Sequence, residues 1–313
     1  MNFYVEVCTM LKRILSIALF LCLFCVAAGA EIPLPIDFSG GSSLSREGYT
    51  APYTDADGNT VCGYTDSTIT VTIVSGHEAR TEYWVADIVI SDASQLRTKA
   101  ATSFDSNDAR DPLRMAQEVN AVLAVNGDYN NAADKHGMGY IIRQGIMYRN
   151  HLEEEDTTYG RLMDVLLIDE DGDFHIFYRP TQDSIPETIN GKRIINAFTF
   201  GPCLVDNGEL ITDYHRSDRS FVDMDSAGYK QRICICQAGP LHYKVIACSG
   251  PSLGSKGMTM SQFADLVWRQ GVQVAYNLDG GNSATIALCG KRANGSGHEA
   301  RKLLDIIYFA SAQ

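Results

Sequence analysis

Three short turn signals, each set between two apolar segments, constrain the fold of this chain more than any other feature. They are Gln144-Gly145, Asp171-Gly172 and Asn207-Gly208. Asp-Gly and Asn-Gly are favoured in tight hairpins, because glycine and asparagine tolerate the positive φ angles that such turns require. The segments QRICICQA and HYKVIACS have the pattern of one more strand pair. The middle of the chain is therefore predicted to be a series of β-hairpins.

Helical signals lie on both sides of these hairpins. Asp111 and Pro112 form a start signal ahead of apolar residues at helical spacing, and Thr259 with Gln262 forms a capping box ahead of a second helix. An apolar run typical of a buried strand follows each helix. The sequence thus predicts an α+β fold, in which strand-rich mixed sheets and several packed helices form a single domain.

The first 30 residues have the pattern of a secretory signal peptide. Lys12 and Arg13 precede an apolar run over residues 14–26, and Ala28-Gly29-Ala30 closes it with small residues. The run is too short for a comfortable transmembrane helix. We expect residues 1–30 to be a signal peptide and the protein to be secreted or held at the cell surface. A membrane contact is expected only through this segment, if it stays uncleaved.

The composition of the remaining chain is that of a globular protein. Residues 31–66 are rich in Gly, Ser, Thr and Asp and are predicted to be an irregular lead-in, followed by one domain over residues 67–313. The formal net charge of the chain is −12. Nucleic acid is not an expected partner, because its phosphates repel a protein with such an excess of negative charge.

The cysteines indicate structural rather than metal-binding roles. Of nine in the chain, six lie beyond residue 30, and an exported chain with six can form up to three disulfides. Cys234 and Cys236 alternate on one predicted strand, so their side chains share a face and are poorly placed to bond each other. A zinc site is the rival interpretation, but the spacing Cys-x-x-Cys does not occur among these six cysteines. We expect the six cysteines to be paired or buried.

Two predicted strands end in polar segments of similar composition. One ends at Asn126-Gly127-Asp128 and the other at Asp279-Gly280-Gly281. Each segment offers a carboxylate, and its glycines let the backbone come close to a ligand. Strand ends of this kind are where sites collect in sheets with helical crossovers. The alternative is that both segments are ordinary turns that contain Asp and Asn.

The same segments carry a resemblance to the phosphodiester glycosidase family. Four motifs match in order and spacing: Asn126–Tyr129, Gly201–Leu204, Arg232–Cys236 and Leu278–Thr285. The resemblance covers residues 70–311. Asn282 stands where the family usually has glycine and Ala284 where it usually has serine, while Cys234 and Cys236 replace small residues. These departures concern the substrate more than the fold.

The resemblance implies an exported hydrolase that cleaves sugar-1-phosphodiester linkages at the anomeric carbon, in glycan, cell-wall polymer or exopolysaccharide metabolism. Its expected partner is a sugar-phosphate diester or phosphoglycan substrate. Asp279 and Asp128 are the expected catalytic carboxylates, and Arg232 the expected phosphate clamp, because guanidinium binds phosphate through two parallel hydrogen bonds. The other expected substrate-binding residues are Asn126, Gly127, Gly280, Gly281, Ser283 and Thr285.

No cofactor is expected for this chemistry. A divalent cation is not predicted either, since Asp128 and Asp279 alone are too few ligands to hold one. Two other functions fit the same motifs: a non-catalytic module that binds anionic glycans, and a metal-dependent phosphodiesterase that cleaves the P–O bond. Individual residues have structural alternatives as well, with Arg232 as an ordinary strand residue and Asp128 as a turn cap.

Overall fold

The predicted hairpins are present in the computed structural model of the protein. It describes residues 40–104, 106, 108–127, 139–152, 163–212, 228–295 and 301–312. The turns at Gln144-Gly145, Asp171-Gly172 and Asn207-Gly208 each join two antiparallel strands, and the glycine of each turn has φ between 78° and 82°. Glycine is favoured there because a Cβ atom disfavours positive φ.

The largest sheet of the described residues has nine strands, and each neighbouring pair in it is antiparallel. In spatial order these are β1 (Tyr49–Thr54), β2 (Thr60–Thr65), β3 (Ile69–Glu78), β4 (Thr81–Ile90), β16 (His242–Cys248), β15 (Arg232–Gly239), β17 (Val274–Leu278), β13 (Cys203–Asp206) and β14 (Glu209–Leu210). The predicted pair of QRICICQA with HYKVIACS is β15 with β16, and is confirmed.

Two smaller antiparallel sheets complete the described strands. The six-stranded sheet contains β10 (Phe174–Phe177), β9 (Asp164–Asp169), β12 (Lys192–Phe200), β7 (Gly139–Arg143) and β8 (Ile146–His151), with β11 (Thr188–Ile189) paired to β12. The five-stranded sheet contains, in spatial order, β19 (Lys291–Arg292), β18 (Ile286–Leu288), β6 (Ala121–Asn126), β20 (Asp305–Ala310) and β5 (Leu96–Ala100).

Both predicted helix starts are confirmed. Helix α1 spans Pro112–Glu118, and the Asp111 carboxylate accepts a hydrogen bond from the backbone N–H of Leu113 at 2.9 Å. Helix α2 spans Met260–Trp268 and begins with the capping box of Thr259 and Gln262. These caps satisfy N–H groups that a helix leaves without an internal partner at its first turn.

The inner strands β15 and β17 of the nine-stranded sheet are buried on both faces, because they carry small or apolar side chains on each face. Ile233 and other residues on one face pack against residues of the two smaller sheets, including Phe198 and Ile307. The other face carries Cys234 and packs against α2 through residues such as Phe263. Burying one such aromatic or aliphatic side chain contributes about 1.5–3 kcal/mol to stability. Helix α1 covers the outer face of the five-stranded sheet in the same way.

The predicted fold class, an α+β fold of mixed sheets with several packed helices, is wrong. Across the described ranges every strand pairing is antiparallel and two α-helices are found, so the protein is strand-rich with mostly antiparallel sheets. The prediction interpreted each helix and the strand after it as a crossover of a mixed sheet. Strands β6 and β17 instead lie each between two antiparallel neighbours, in different sheets.

Part of the predicted irregular lead-in is regular structure. Strands β1 and β2 fall within residues 31–66, and β2 continues the nine-stranded sheet from β3. The prediction missed them because β1 is almost wholly exposed and has no apolar face from which to recognise a strand. Within the parts of the chain that the structure describes, no helix is long and apolar enough to span a membrane. The signal segment, residues 1–30, lies outside the described residues.

The six cysteines beyond residue 30 are free thiols, and all except the half-buried Cys289 are buried. The expectation that Cys234 and Cys236 share a face without bonding is confirmed, with their sulfur atoms 3.5 Å apart. Burial raises the pKa of the Cys248 thiol to about 11 and that of Cys289 to about 11. A thiol with such a pKa stays protonated at neutral pH and is a poor nucleophile or metal ligand.

Candidate functional site

The two polar strand ends singled out in the sequence meet in the fold. The side-chain Nδ2 of Asn126, at the end of β6, donates a hydrogen bond of 3.0 Å to the carbonyl oxygen of Asp279, just beyond β17. Its Oδ1 accepts a hydrogen bond of 3.3 Å from the backbone N–H of Thr285. Asn126 is 1% exposed, so a buried amide ties two strands of different sheets together.

A cavity of about 210 Å³ opens beside Asp279. Its lining combines cationic, carboxylate, amide and apolar groups: Lys230, Arg232, Arg301, Asp279, Gln231, Asn277, Phe200, Met260, Leu278, Gly280 and Gly281. Strand β17 supplies Asn277 and Leu278 to this lining, and the first residues of β15 and α2 and the last residue of β12 also belong to it. Three cationic side chains around one small cavity favour an anionic ligand.

Asp279 is the carboxylate of this cavity. Its side chain is 14% exposed, and its Oδ2 lies 3.8 Å from Nη1 of Arg301. The same Nη1 donates a hydrogen bond of 3.4 Å to Oγ of Ser283. Arg301 is itself about half exposed, with 49% of its side-chain surface accessible. The cavity therefore presents a carboxylate and a guanidinium side by side, with the guanidinium still open to solvent.

Arg232 lines the cavity from a buried position at the start of β15. Its Nε donates a hydrogen bond of 2.9 Å to the carbonyl oxygen of Met258, and its Nη2 donates one of 3.0 Å to that of Gly228. Nη1 lies 3.8 Å from the sulfur of Met260. The predicted phosphate clamp thus holds two backbone segments of the cavity wall through at least two of its N–H groups.

The first glycine after Asp279 is required by the close approach of Gln231, the residue before β15. A Cβ atom on Gly280 would lie 2.5 Å from the carbonyl oxygen of Gln231, which is closer than real contacts allow. The N–H of Gly281 donates a hydrogen bond of 3.0 Å to that same carbonyl, and Gly281 has a φ of 57°. In the sequence these glycines predict an anion nest, whereas here the Gly281 N–H group binds protein.

Gly127 lies against a buried ion pair. A Cβ atom on Gly127 would lie 2.2 Å from Oδ1 of Asp305, whose Oδ2 accepts a hydrogen bond of 3.0 Å from Nε of Arg143. Arg143 is fully buried and stacks over the ring of Phe198, with Cζ 4.0 Å from the ring centroid. Sequence reasoning missed this pair, although a charged residue inside each of two apolar strands was the available signal.

Three further residues were predicted to belong to the site, and none of them is part of the described cavity lining. Ser283 and Thr285 are buried behind the cavity lining, at 0% and 1% exposure. Oγ1 of Thr285 has no hydrogen-bond partner among the residues that the structure describes. Asp128, the second predicted carboxylate, lies outside the described residues.

The described part of the chain holds no group of three or more His, Cys, Asp or Glu side chains that could bind a metal ion. The sequence predicts that the protein needs no cofactor, and it does not predict a bound divalent cation. Both expectations stay predictions, because they concern Asp128, which lies outside the described residues, as well as Asp279.

The phosphodiester glycosidase family model matches residues 119–310, which include both strand ends and the whole cavity lining. This match extends over more than half of the chain. The protein belongs to the phosphodiester glycosidase family. The resemblance inferred from the four motifs is confirmed.

Similar proteins agree with this assignment to the phosphodiester glycosidases. The catalytic domain of zebrafish N-acetylglucosamine-1-phosphodiester alpha-N-acetylglucosaminidase, auto-inhibited by its pro-peptide, has 18% identity and a TM-score of 0.60, over 79% of this chain and 85% of that one. A hypothetical protein from Synechocystis has 15% identity and a TM-score of 0.57, over 83% and 68%. At these identities both structures show a shared fold.

A curated relative is the SPbeta prophage-derived uncharacterized protein YomE of Bacillus subtilis (strain 168). It is 24% identical over 292 residues, which is 84% of this chain. This phosphodiester glycosidase spans 43% of the length of that relative.

Sequence reasoning missed four polar residues of the phosphodiester glycosidase cavity: Lys230, Gln231, Asn277 and Arg301. Arg301 lies in a polar segment ahead of β20 and has the pattern of an ordinary surface residue. Asn277 stands inside the apolar run of β17, and an amide in such a run was a usable signal, because buried amides need partners.

Proposed function

We propose that this phosphodiester glycosidase hydrolyses sugar-1-phosphodiesters by breaking the bond between the anomeric carbon and oxygen. The observation that carries the proposal is the pairing of Asp279 with Arg301 across 3.8 Å in a cavity that Lys230 and Arg232 also line. A carboxylate next to cationic groups suits a substrate whose reacting carbon is bonded to a phosphate. The phosphate would bind near the cations, and the sugar would lie against the carboxylate.

The residue types fit the chemistry of this bond. A phosphate ester is a good leaving group, so a strong general acid is less necessary than in ordinary glycoside hydrolysis. The cationic groups stabilise the negative charge that develops on the leaving phosphate. Asp279 supports the oxocarbenium-like carbon or activates the attacking water, and Asp128 is proposed as the second carboxylate. Cofactor-free turnover is part of this proposal, and activity that survives chelation with EDTA would support it.

The proposed substrate is a sugar-phosphate diester or phosphoglycan, in glycan, cell-wall polymer or exopolysaccharide metabolism. The name of the zebrafish enzyme gives an N-acetylglucosamine-1-phosphodiester as its substrate. In this chain the amide groups of Asn277 and Gln231 line the same cavity as the cations, and such amides suit sugar hydroxyl groups. Phe200 adds an apolar surface of the kind that lines ligand pockets.

Export of the protein is proposed from the signal-like segment at residues 1–30. A secreted or surface-held hydrolase would meet glycan polymers outside the cytoplasm. N-terminal sequencing of the protein recovered from the extracytoplasmic fraction would then give a start near Glu31. A protein found intact in the cytoplasmic fraction would contradict the proposal.

Assays on a UDP-sugar and on simple sugar-1-phosphodiesters test the activity itself. The proposal predicts release of free sugar together with UDP in the first case and with a phosphomonoester in the second. Asp279→Asn should lower kcat by about 100-fold or more while the fold persists. Asp265→Asn is the matched control, because Asp265 is an exposed carboxylate on α2 that pairs with Arg269. Tight binding of sugar phosphates without any turnover would instead favour a non-catalytic glycan-binding module.

A further inference from the structure

One amide of the cavity lining is hydrogen-bonded at its donor end and has no partner at its acceptor end among the described residues. Asn277 lies in β17, is 4% exposed, and is paired across the sheet with Cys234. Side chains of directly paired antiparallel residues lie on the same face, so Asn277 shares its face with Cys234 and Arg232. This face is the one that carries the cavity.

The donor side of Asn277 is fully defined by its surroundings. Its Nδ2 donates a hydrogen bond of 2.8 Å to the carbonyl oxygen of Gly201, and its backbone N–H donates one of 3.1 Å to that of Pro202. The carbonyl oxygen of Gly201 orients the side-chain amide, because only the Nδ2 end of that amide can donate to it. The position of Oδ1 follows from the position of Nδ2.

The acceptor side has no such contact. Oδ1 of Asn277 is buried and has no hydrogen-bond partner in the part of the chain that the structure describes. Buried acceptors without donors lower stability and are rare in folded proteins, so each one calls for an explanation. A ligand with a hydrogen-bond donor that binds in the cavity would explain this unpaired oxygen.

The chemistry of that donor follows from the other lining groups. A phosphate oxygen is an acceptor and would repel Oδ1, whereas the cations Lys230 and Arg301 suit the phosphate. A sugar hydroxyl or a sugar amide N–H is a donor of the right kind. We propose that Asn277 Oδ1 accepts a hydrogen bond from one such group on the sugar ring and so selects the sugar. This inference rests on the proposed function, since it takes a sugar-1-phosphate unit as the ligand.

Asn294 provides a matched comparison, because both ends of its amide are used within the protein. Its Oδ1 accepts a hydrogen bond of 2.7 Å from the N–H of Ile286, and its Nδ2 donates one of 3.0 Å to the carbonyl oxygen of Ala284. Asn294 is 2% exposed and is not part of the cavity lining. Removing its amide should affect stability and leave sugar selection unchanged.

The test measures dissociation constants of glucose 1-phosphate, N-acetylglucosamine 1-phosphate and their monodeoxy analogues by calorimetry. The comparison uses the sugar phosphate that the wild type binds best, here called the parent. One of its monodeoxy analogues, the one that lacks the hydroxyl donating to Asn277, should bind the wild type about tenfold more weakly than the parent, the scale of one hydrogen bond. Asn277→Ala should bind the parent sugar phosphate and this deoxy analogue with equal dissociation constants. Asn294→Ala should keep the tenfold difference. Asn277→Leu, which has a similar volume and no acceptor, should also abolish the difference and provides a second variant if Asn277→Ala does not fold.

The outcomes separate this inference from the proposed function. A tenfold difference that persists in Asn277→Ala, or no wild-type binding to any of these sugar phosphates, would overturn the role of Asn277. Discrimination that depends on Asn277 in a protein that turns over no phosphodiester would overturn the glycosidase proposal and leave the sugar contact standing. Turnover with unchanged discrimination in Asn277→Ala would overturn the contact alone.

Discussion

The side-chain amide of Asn126 donates a hydrogen bond of 3.0 Å to the main-chain carbonyl oxygen of Asp279, a residue 153 positions further along the chain. The same amide accepts from the N–H of Thr285. Asn126 is buried and makes both contacts, so this one side chain fixes the backbone that carries Asp279 relative to β6. The proposed catalytic carboxylate thus depends on a residue from another sheet for its position.

Replacing Asn126 should therefore reduce stability and activity together. Asn126→Ala leaves a buried carbonyl and a buried N–H without their partner, a loss of about 1–3 kcal/mol. We expect a lower melting temperature and a lower kcat for phosphodiester hydrolysis. Asn150→Ala is the control, because Asn150 is exposed on β8 and surface substitutions usually change stability by less than about 0.5 kcal/mol. Equal melting curves for the two variants would show that the contact is dispensable.

Arg232→Lys tests whether the buried guanidinium holds the cavity wall. Lysine keeps the charge but cannot donate to the carbonyl oxygens of both Met258 and Gly228 in the same planar geometry. The expected result is a loss of about 1–3 kcal/mol in the free energy of unfolding. Inorganic phosphate should also raise the melting temperature less than it does in the wild type. An unchanged melting temperature would contradict the anchoring role, and unchanged protection by phosphate would remove Arg232 from the phosphate site.

Arg301 is expected to affect substrate binding without affecting stability. Its side chain is 49% exposed and lies 3.8 Å from Asp279, so Arg301→Ala should leave the fold intact. Losing a charge-assisted contact to the substrate phosphate should lower kcat/KM by about tenfold or more. Arg269→Ala is the matched control, since Arg269 is 42% exposed and pairs with Glu78 and Asp265 on the surface. Identical kinetics for both variants would place the phosphate elsewhere.

The buried thiols predict a loss of stability at high pH. The unfolded chain releases its thiol protons near the ordinary pKa of 9.0, whereas burial raises the pKa of Cys248 to about 11. Between these values the folded state binds more protons than the unfolded state, so stability is complete below about pH 9 and falls as pH rises toward 11. The loss for this thiol is about 3 kcal/mol.

Urea titrations at pH 8, 9, 10 and 11 would measure this dependence, and the same titrations on Cys248→Ala provide the comparison. Removing a buried side chain lowers stability at every pH, so the informative quantity is the change with pH. That change should be smaller in Cys248→Ala than in the wild type. Parallel pH profiles would show that Cys248 does not titrate as its burial implies.

Local patterns predicted the local structure of this protein well. The hairpin turns and the caps at Asp111 and Thr259 depend on residues close together in sequence, and each is confirmed. The sheet arrangement depends on pairing between distant strands, which turn residues and periodicity do not specify. For that reason the antiparallel setting of β6 and β17 was missed.

The residues of the candidate site likewise fall into two groups, those that local sequence identifies and those that only the tertiary fold brings to the cavity. Asp279 and Gly280 follow a buried strand and were recognised from that position, and Arg232 was found from its family motif. Arg301 and Lys230 reach the cavity only through the tertiary fold, from polar segments that resemble ordinary surface loops. Asn126 was recognised as a site residue, but its hydrogen bonds to Asp279 and Thr285 follow from the packing of two sheets.

Hydrolysis in water enriched in oxygen-18 tests the central claim most directly. The purified protein would be incubated with a sugar-1-phosphodiester, and both products would be analysed by mass spectrometry. Cleavage between the anomeric carbon and oxygen places the label in the released sugar and leaves the phosphomonoester unlabelled, which is the result this account predicts. Label in the phosphomonoester would show attack at phosphorus and would contradict the assignment of the protein as a glycosidase acting at the anomeric carbon.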